Sequence, residues 1–385
     1  ETTITTNVLD NDSDPESLSI STVSKGALSV PISIVEGEYY LDTEGNLTFT
    51  PADKFTGNVD IVYTTCDDDG ACTNATLHIL VLDHLSISVR VYLEGAIMNN
   101  NNVVGSTGLP LMRDNLRNNP FTGENNIPLN DPYSTPFTTY QSNPIVSNFI
   151  KVGPGLLDKY SIITDSLNVF KEEGENAIVD WVFVELRSKE DMTTRIGTRS
   201  GLLQRDGDVV DLDGISPLAF EGVSADSFYV VVKHRNHLGA MSMLVKYNEL
   251  IDFTDPATEI FNFGTSHPSG LDFSGLSMNY DVKNGYAALW AGDFNADGKI
   301  KFVGGDVDVN QLYQELLFAS IPFFLSNYDD AFGYSQGDYN LNGKIKYTNP
   351  GDDTNMLFAQ VLFFPLNNKL YSNYDFFIEQ IPSVE

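Results

Sequence analysis

Asp293, Asn295 and Asp297 stand at alternate positions ahead of Gly298, and the pattern returns 45 residues later as Asp338, Asn340 and Asn342 ahead of Gly343. Oxygen-bearing side chains at loop positions 1, 3 and 5, with glycine at 6, are what a short segment needs to wrap a hard cation. The glycine takes a turn that a Cβ resists. The chemistry implied is calcium coordination, with the Lys299 and Lys344 carbonyls as backbone oxygens at position 7. The usual loop of this kind closes on an acid at position 12. Here Gly304 holds that place, and the acid common to both copies comes later, as Asp308 and Asp353. The exit from each loop is therefore expected to be longer than usual. Asx-rich turns without metal explain one such loop more readily than two.

Each late acid leads into apolar residues at helical spacing: Val309, Leu312, Tyr313, Leu316 and Leu317 in one copy, Met356, Leu357, Val361 and Leu362 in the other. The unit is thus a loop followed by one helix, used twice, with Ile300 anchoring the first loop to a core. This duplication resembles the dockerin type of calcium repeat over the last quarter of the chain, with Asp293, Asn295, Asp297, Asp338, Asn340 and Asn342 on the matching positions. The resemblance implies calcium as cofactor. A cohesin-type partner is not carried over, because the closing acid is displaced.

Lys and Arg number 22 against 53 Asp and Glu, a net charge of -31 in 385 residues. Such a surface repels nucleic-acid phosphates and anionic lipid headgroups, and divalent cations are its natural counter-charge. Most of the acids are expected to form a solvated face. No run of 18 apolar residues occurs, so no membrane insertion is expected. The start at Glu1, without a basic stretch and an apolar run behind it, reads as a processed or excised piece. The only cysteines, Cys66 and Cys72, flank Asp67, Asp68, Asp69 and Gly70. A disulfide across a hairpin end is expected, and with it an oxidising, extracellular setting.

Residues 1–83 read as short strands (18–23, 39–41, 47–50, 59–65 and 75–81) between Gly, Pro, Asn and Asp turns, the pitch of a β-sandwich. The runs Asn7–Pro15, Phe49-Thr50-Pro51 and Phe55-Thr56-Gly57 resemble the cadherin-like and bacterial immunoglobulin-like repeats of large secreted adhesins. Asp10, Asp12 and Asp14 with Asp67 to Asp69 are either a second calcium site or turn-formers that bond their own backbone. Only six residues precede Asn7-Val8 and its partners where such repeats commonly carry another strand. A missing strand would expose a sheet edge for another copy of the chain to fill.

A strand is expected from Leu85 to Leu93, then long irregular surface rich in Asn, Pro and Gly to about Pro144. From Ala177 to Met243 the β pattern returns. Ile178 to Arg187 does not alternate, so both its faces should be covered; the Asp206-Gly207 pair marks a tight hairpin, and Phe228 to Lys233 a closing strand. This order fits a second sandwich over 84–286, of CnaB or transthyretin-like type. The words Asp180-Trp181, Val184 to Arg187, Leu203 to Asp211 and His234 to Gly239 resemble a module of large secreted surface proteins of the Bacteroidetes group, where it precedes paired calcium loops.

Catalysis finds little footing. His234 and His237 with Asp206 and Asp208 invite a metal-hydrolase reading, yet no third ligand or base accompanies them, and polar residues satisfied at a seam fit better. Glu185, Arg187, Arg199 and Arg205 are expected to form an ion-pair network. No nucleophile elbow, phosphate loop or dinucleotide fingerprint occurs. The aromatic tail (Phe318, Phe323, Phe324, Tyr328, Phe363, Phe364, Tyr371, Tyr374, Phe376 and Phe377) is either core or an exposed row for sugar stacking or subunit contact.

The expectation is a mainly β chain: tandem β-sandwiches at 1–83 and 84–286, then a small loop-helix calcium module at 287–385. Its function would be that of an extracellular, calcium-stabilised structural protein without catalytic role, an adhesin stalk or a filament subunit on a bacterial cell surface whose partner is another copy of itself. The alternative is an accessory module that binds polysaccharide.

Overall fold

The computed structural model describes residues 3–10, 12–13, 20–22, 31–52, 55–81, 84–98, 103–134, 149, 161–280, 285–305, 307–318, 331–348 and 353–384. The chain divides into two compact units, Glu1–His84 and Leu85–Glu385.

The first unit contains β1 (Ile4–Asn7), β2 (Ile20–Thr22), β3 (Ile32–Ile34), β4 (Gly37–Leu41), β5 (Asn46–Pro51), β6 (Gly57–Asp67) and β7 (Cys72–Val81). They form two antiparallel sheets, ordered β1-β5-β4-β3 and β2-β6-β7. Strict alternation along β6 sends Val59, Ile61 and Tyr63 inward while Asp60 and Val62 face water, the period-2 rule at work. Those three meet Val8, Leu41, Leu47 and Phe49 of the other sheet in one small core, and the Tyr63 hydroxyl donates to the Val8 carbonyl at 3.1 Å. Cys66 and Cys72 face each other across the β6–β7 hairpin and are bonded, as their spacing implied. The residues ahead of Val8 form a strand, β1, which pairs with β5. Asp67 is a turn-former, its Oδ1 accepting the Ala71 N–H at 2.8 Å, while Asp14 lies outside the described residues.

The second unit runs β8 (His84–Arg90), α1 (Glu94–Met98), α2 (Ser166–Val169), β9 (Ile178–Ser188), β10 (Arg195–Gln204), β11 (Asp208–Val210), β12 (Leu218–Glu221), β13 (Ser227–His234), β14 (His237–Met241), β15 (Val245–Lys246), β16 (Leu250–Asp252), α3 (Asp308–Phe318), β17 (Ala331–Phe332), β18 (Lys344–Ile345) and α4 (Asp353–Phe363). The expected second sandwich is instead one nine-stranded sheet, ordered β12-β8-β11-β10-β9-β13-β14, with β15 beside β13 and β16 parallel to β8. Its central strand, β9, is buried from Ile178 to Arg187 on both faces, which is why its sequence does not alternate. Gly207 holds the tight turn into β11 at φ 95°.

The expected boundary at 286/287 falls inside this unit. Ala287, Ala288 and Leu289 belong to the same core as Val89 and Trp181, and the Leu289 N–H donates to the Tyr92 carbonyl at 2.8 Å. A neighbouring core joins Leu238 and Trp290 to Leu312 and Leu316 of α3 and to Leu357 and Val361 of α4. The loop-helix pair is therefore packed on the sheet rather than tethered to it.

Candidate metal centre

The backbone bonds accepted by the four acids repeat from one loop to the other at the offset of 45. Asp293 accepts the Asp297 and Gly298 N–H groups at 3.1 and 3.0 Å; Asp338 accepts those of Asn342 and Gly343 at 3.0 and 2.8 Å. Asp308 accepts from Phe294 and Lys301 at 2.8 and 2.7 Å, and Asp353 from Tyr339 and Lys346 at 3.0 and 2.9 Å. Position 4 is left-handed in both, at φ 53° for Ala296 and 52° for Leu341, and position 6 follows at 79° and 78° for the glycines. The late acid thus has a physical role: it is the first residue of its helix, and it ties the loop's entry and exit to that helix start.

All four carboxylates are buried. In the first loop their charge is poorly compensated. Burial pushes Asp293 well above the usual carboxylate range, and Asp308, Asp297 and Glu379 push it further. Burial lifts Asp308 to about 8 against the pull of its two backbone N–H donors. Among the described residues neither Asp293 nor Asp308 forms an ion pair with a basic side chain. Glu379 reaches the loop from the C-terminal segment. Its N–H donates to the Gly298 carbonyl at 2.7 Å, and its carboxylate pairs with Lys233 at 3.1 Å. No spacing in the sequence announces it.

Asp297 is exposed and Asn295 half-buried, with the Asn295 Nδ2 donating to Asp297 at 3.2 Å. Among the described residues no three acidic, histidine or cysteine side chains already converge on one point. The fit to a divalent cation therefore rests on the buried pair Asp293 and Asp308, an all-oxygen donor set of hard ligands, and a deficit of positive charge.

The second loop differs in its neighbours. Arg113 donates through Nη1 to the Asn340 Oδ1 at 3.0 Å, and Asn119 donates to the Gly343 carbonyl at 2.9 Å. Asp338 is lifted by burial to about 6, with Arg235 and Arg113 pulling it back. Burial also lifts Asp353 well above its usual range, Asp338 adding to the effect.

His234 and His237 meet through their Nδ1 atoms at 3.0 Å, and the His234 Nε2 lies 3.1 Å from Asp180. Burial lowers the pKa of both rings, with Asp180 pulling that of His234 back up. Asp206 and Asp208 do not join them; Asp208 pairs with Arg90 at 2.7 Å. The organising group is Asp180, which also accepts from the Arg235 Nε (3.0 Å), the Tyr334 hydroxyl (2.6 Å) and the Trp181 N–H (2.8 Å). The expected arginine network is smaller than foreseen. Glu185 pairs with Arg187 and Arg195, both at 2.9 Å, whereas Arg199 pairs with Asp211 and Arg205 faces Asp114. In the aromatic tail Phe364 and Phe377 stack at 3.9 Å in the core, while Phe363, Tyr371 and Phe376 are exposed. Phe323, Phe324 and Tyr328 lie outside the described residues, as does the side chain of Phe318.

Residues 1–80 match the family described as Bacterial Ig domain, which agrees with the two-sheet sandwich of the first unit. The chain is thus mainly β, with a bacterial Ig-like domain at its N-terminus, several antiparallel sheets and few helices. Domains of this kind are typical of surface or secreted proteins, and the Cys66–Cys72 disulfide points the same way. No curated protein and no solved structure matches the chain.

Proposed function

We propose that the chain is an extracellular structural protein of a bacterial surface, an adhesin stalk or filament subunit, stabilised by calcium and without catalytic role. The observation that carries this reading is the buried carboxylate pair Asp293 and Asp308, held in a duplicated Asx loop and lacking a basic partner among the described residues. A cation there would join three parts of the second unit: the loop itself, the start of α3, and the 377–379 segment bonded to the loop backbone. That is a stiffening role, suited to a load-bearing spacer. The acid excess favours calcium over anionic partners.

In the filament form of the proposal the partner is another copy of the chain. Support comes from β1 and β3, which edge their sheet among the described strands and offer backbone groups for strand addition. Sedimentation and negative-stain microscopy of the intact chain, in millimolar calcium and in chelator, test the proposal. Calcium-dependent polymers support a filament subunit, and a monomer whose melting point rises with calcium supports a stalk. A chain indifferent to calcium in both measurements would sink the reading.

A further inference from the structure

A cleft of about 530 Å³, a volume within the range of small-molecule sites, is lined by α4, α1 and the second loop. On α4 the lining is one helical stripe: Asn355, Ala359 and Phe363 at steps of four, with Met356 and Gln360 beside them. From α1 come Glu94 and Met98, and the Gln360 Nε2 ties the two helices by donating to the Glu94 carboxylate. Arg113, with Asn340 and Asn342 of the second loop, completes the lining, its guanidinium donating to the Asn340 Oδ1 at 3.0 Å.

Polarity in this cleft runs opposite to that of a pocket for an apolar ligand. Glu94, Asn340 and Gln360 are each less than a tenth exposed, whereas Met98 is 48% and Phe363 69% exposed. The deep lining is therefore polar, and the rim carries a thioether and a bare aromatic ring. Charge singles out neither an anion nor a cation. Arg113 shares the lining with Glu94 and feels the charges of Asp338 and Asp353, and the chain's net charge of -31 opposes an anionic polymer. Half-buried Asn342 and exposed Asn355 add carboxamides nearer the solvent. A hydroxyl, which both donates and accepts, is the group that matches carboxamides set beside a guanidinium and a carboxylate.

We propose that this cleft binds a neutral carbohydrate, a hexose unit of a polysaccharide, with its hydroxyl edge toward Arg113 and the carboxamides and its C–H face on the Phe363 ring. The ring supplies a large, rigid apolar face for that contact. The stripe from Asn355 to Phe363 rises about 12 Å along α4, so it extends past one sugar ring and suits a short stretch of polymer. Glycan binding goes beyond the stalk or filament role, and it does not depend on calcium at either loop.

Affinity electrophoresis of the full chain tests this, in native gels that hold soluble dextran, galactomannan or xyloglucan. Polygalacturonate serves as the anionic polymer, and a polymer-free gel as the reference. Retardation by at least one neutral polymer is expected, in millimolar calcium or in chelator. It should be lost in Phe363→Ala and in Asn355→Ala, both at exposed positions, and kept in Tyr371→Ala, an exposed ring outside the cleft lining. Melting temperatures confirm that each variant is folded, and if one is not, the other decides. The proposal is overturned by the absence of retardation in all three neutral polymers, by retardation in polygalacturonate alone, or by retardation that survives both substitutions. A loss in Tyr371→Ala would move binding to the aromatic tail and overturn it too. So would a polymer-free mobility that Phe363→Ala increases, the mark of a second copy of the chain over the cleft.

Discussion

Asp293 and Asp297 lie four residues apart in the same loop, yet their substitutions should fail in different ways. Asp293 is buried and holds two backbone N–H groups of its own loop, whereas Asp297 is exposed and holds none of the loop's backbone in the bonds described above. Extracellular calcium modules bind with dissociation constants of roughly 10⁻⁴ to 10⁻³ M. At ~10⁻⁴ M and ~10 mM calcium, the loaded site stabilises the second unit by about 2.7 kcal/mol. At ~2 °C per kcal/mol for a large domain, that is a rise of about 5 °C in melting temperature. Asp297→Asn, weakening the site about tenfold, should reduce the gain to about 1.4 kcal/mol and leave the melting point in chelator unchanged. Asp293→Ala should abolish the calcium gain and also lower stability in chelator by about 2 kcal/mol, for two buried hydrogen bonds at ~1 kcal/mol each. Scanning calorimetry of the three proteins, with and without calcium, reads both quantities. Asp297→Asn gaining as much from calcium as the native chain, or Asp293→Ala melting normally in chelator, would refute the reasoning.

Glu94 is buried beneath Asn279, Gln360 and the Ala291 N–H, and burial lifts it to about 7. With a folded pKa above the unfolded one, the stability it contributes is complete below about pH 4 and lost as pH rises through 7. Glu94→Gln should therefore flatten the stability profile between about pH 5 and 7, removing a slope of up to ~1.4 kcal/mol per pH unit, as read by urea melts across that range. Asp180→Asn leaves Arg235 buried without its partner and should cost about 3–5 kcal/mol, a drop of roughly 6–10 °C; Tyr334→Phe should cost far less, and equal losses would contradict the ion-pair account. Reducing Cys66–Cys72 should lower the stability of the first unit by about 2 kcal/mol, the chain-entropy value for so short a loop, with thiol titration confirming reduction.

The parts legible in the sequence were those whose physics is local. Loop positions 1 to 6, the left-handed glycines, the helices opening at Asp308 and Asp353, and the Cys66–Cys72 hairpin each depend on residues within about a turn or two of one another, so spacing alone carried them. The failures came where burial is supplied from afar. The pattern of β9 told that both faces are covered but not by what, and a second sandwich was a wrong answer to that question. Arg113, Glu379 and Asp180 gave no signal because the groups they meet are distant in the chain, at Asn340, Gly298 and Tyr334. In a chain with 53 acids and 22 basic residues, most carboxylates go to water, and the buried ones compete for a small supply of cations. The two loops are near copies in sequence, so what distinguishes them is which one the fold brings beside an arginine and which beside another acid. Motif matching ranks them by their own ligands. The fold adds their neighbours, Arg113 beside Asn340 and Glu379 beside Gly298, and those neighbours set how much opposite charge each buried carboxylate pair meets.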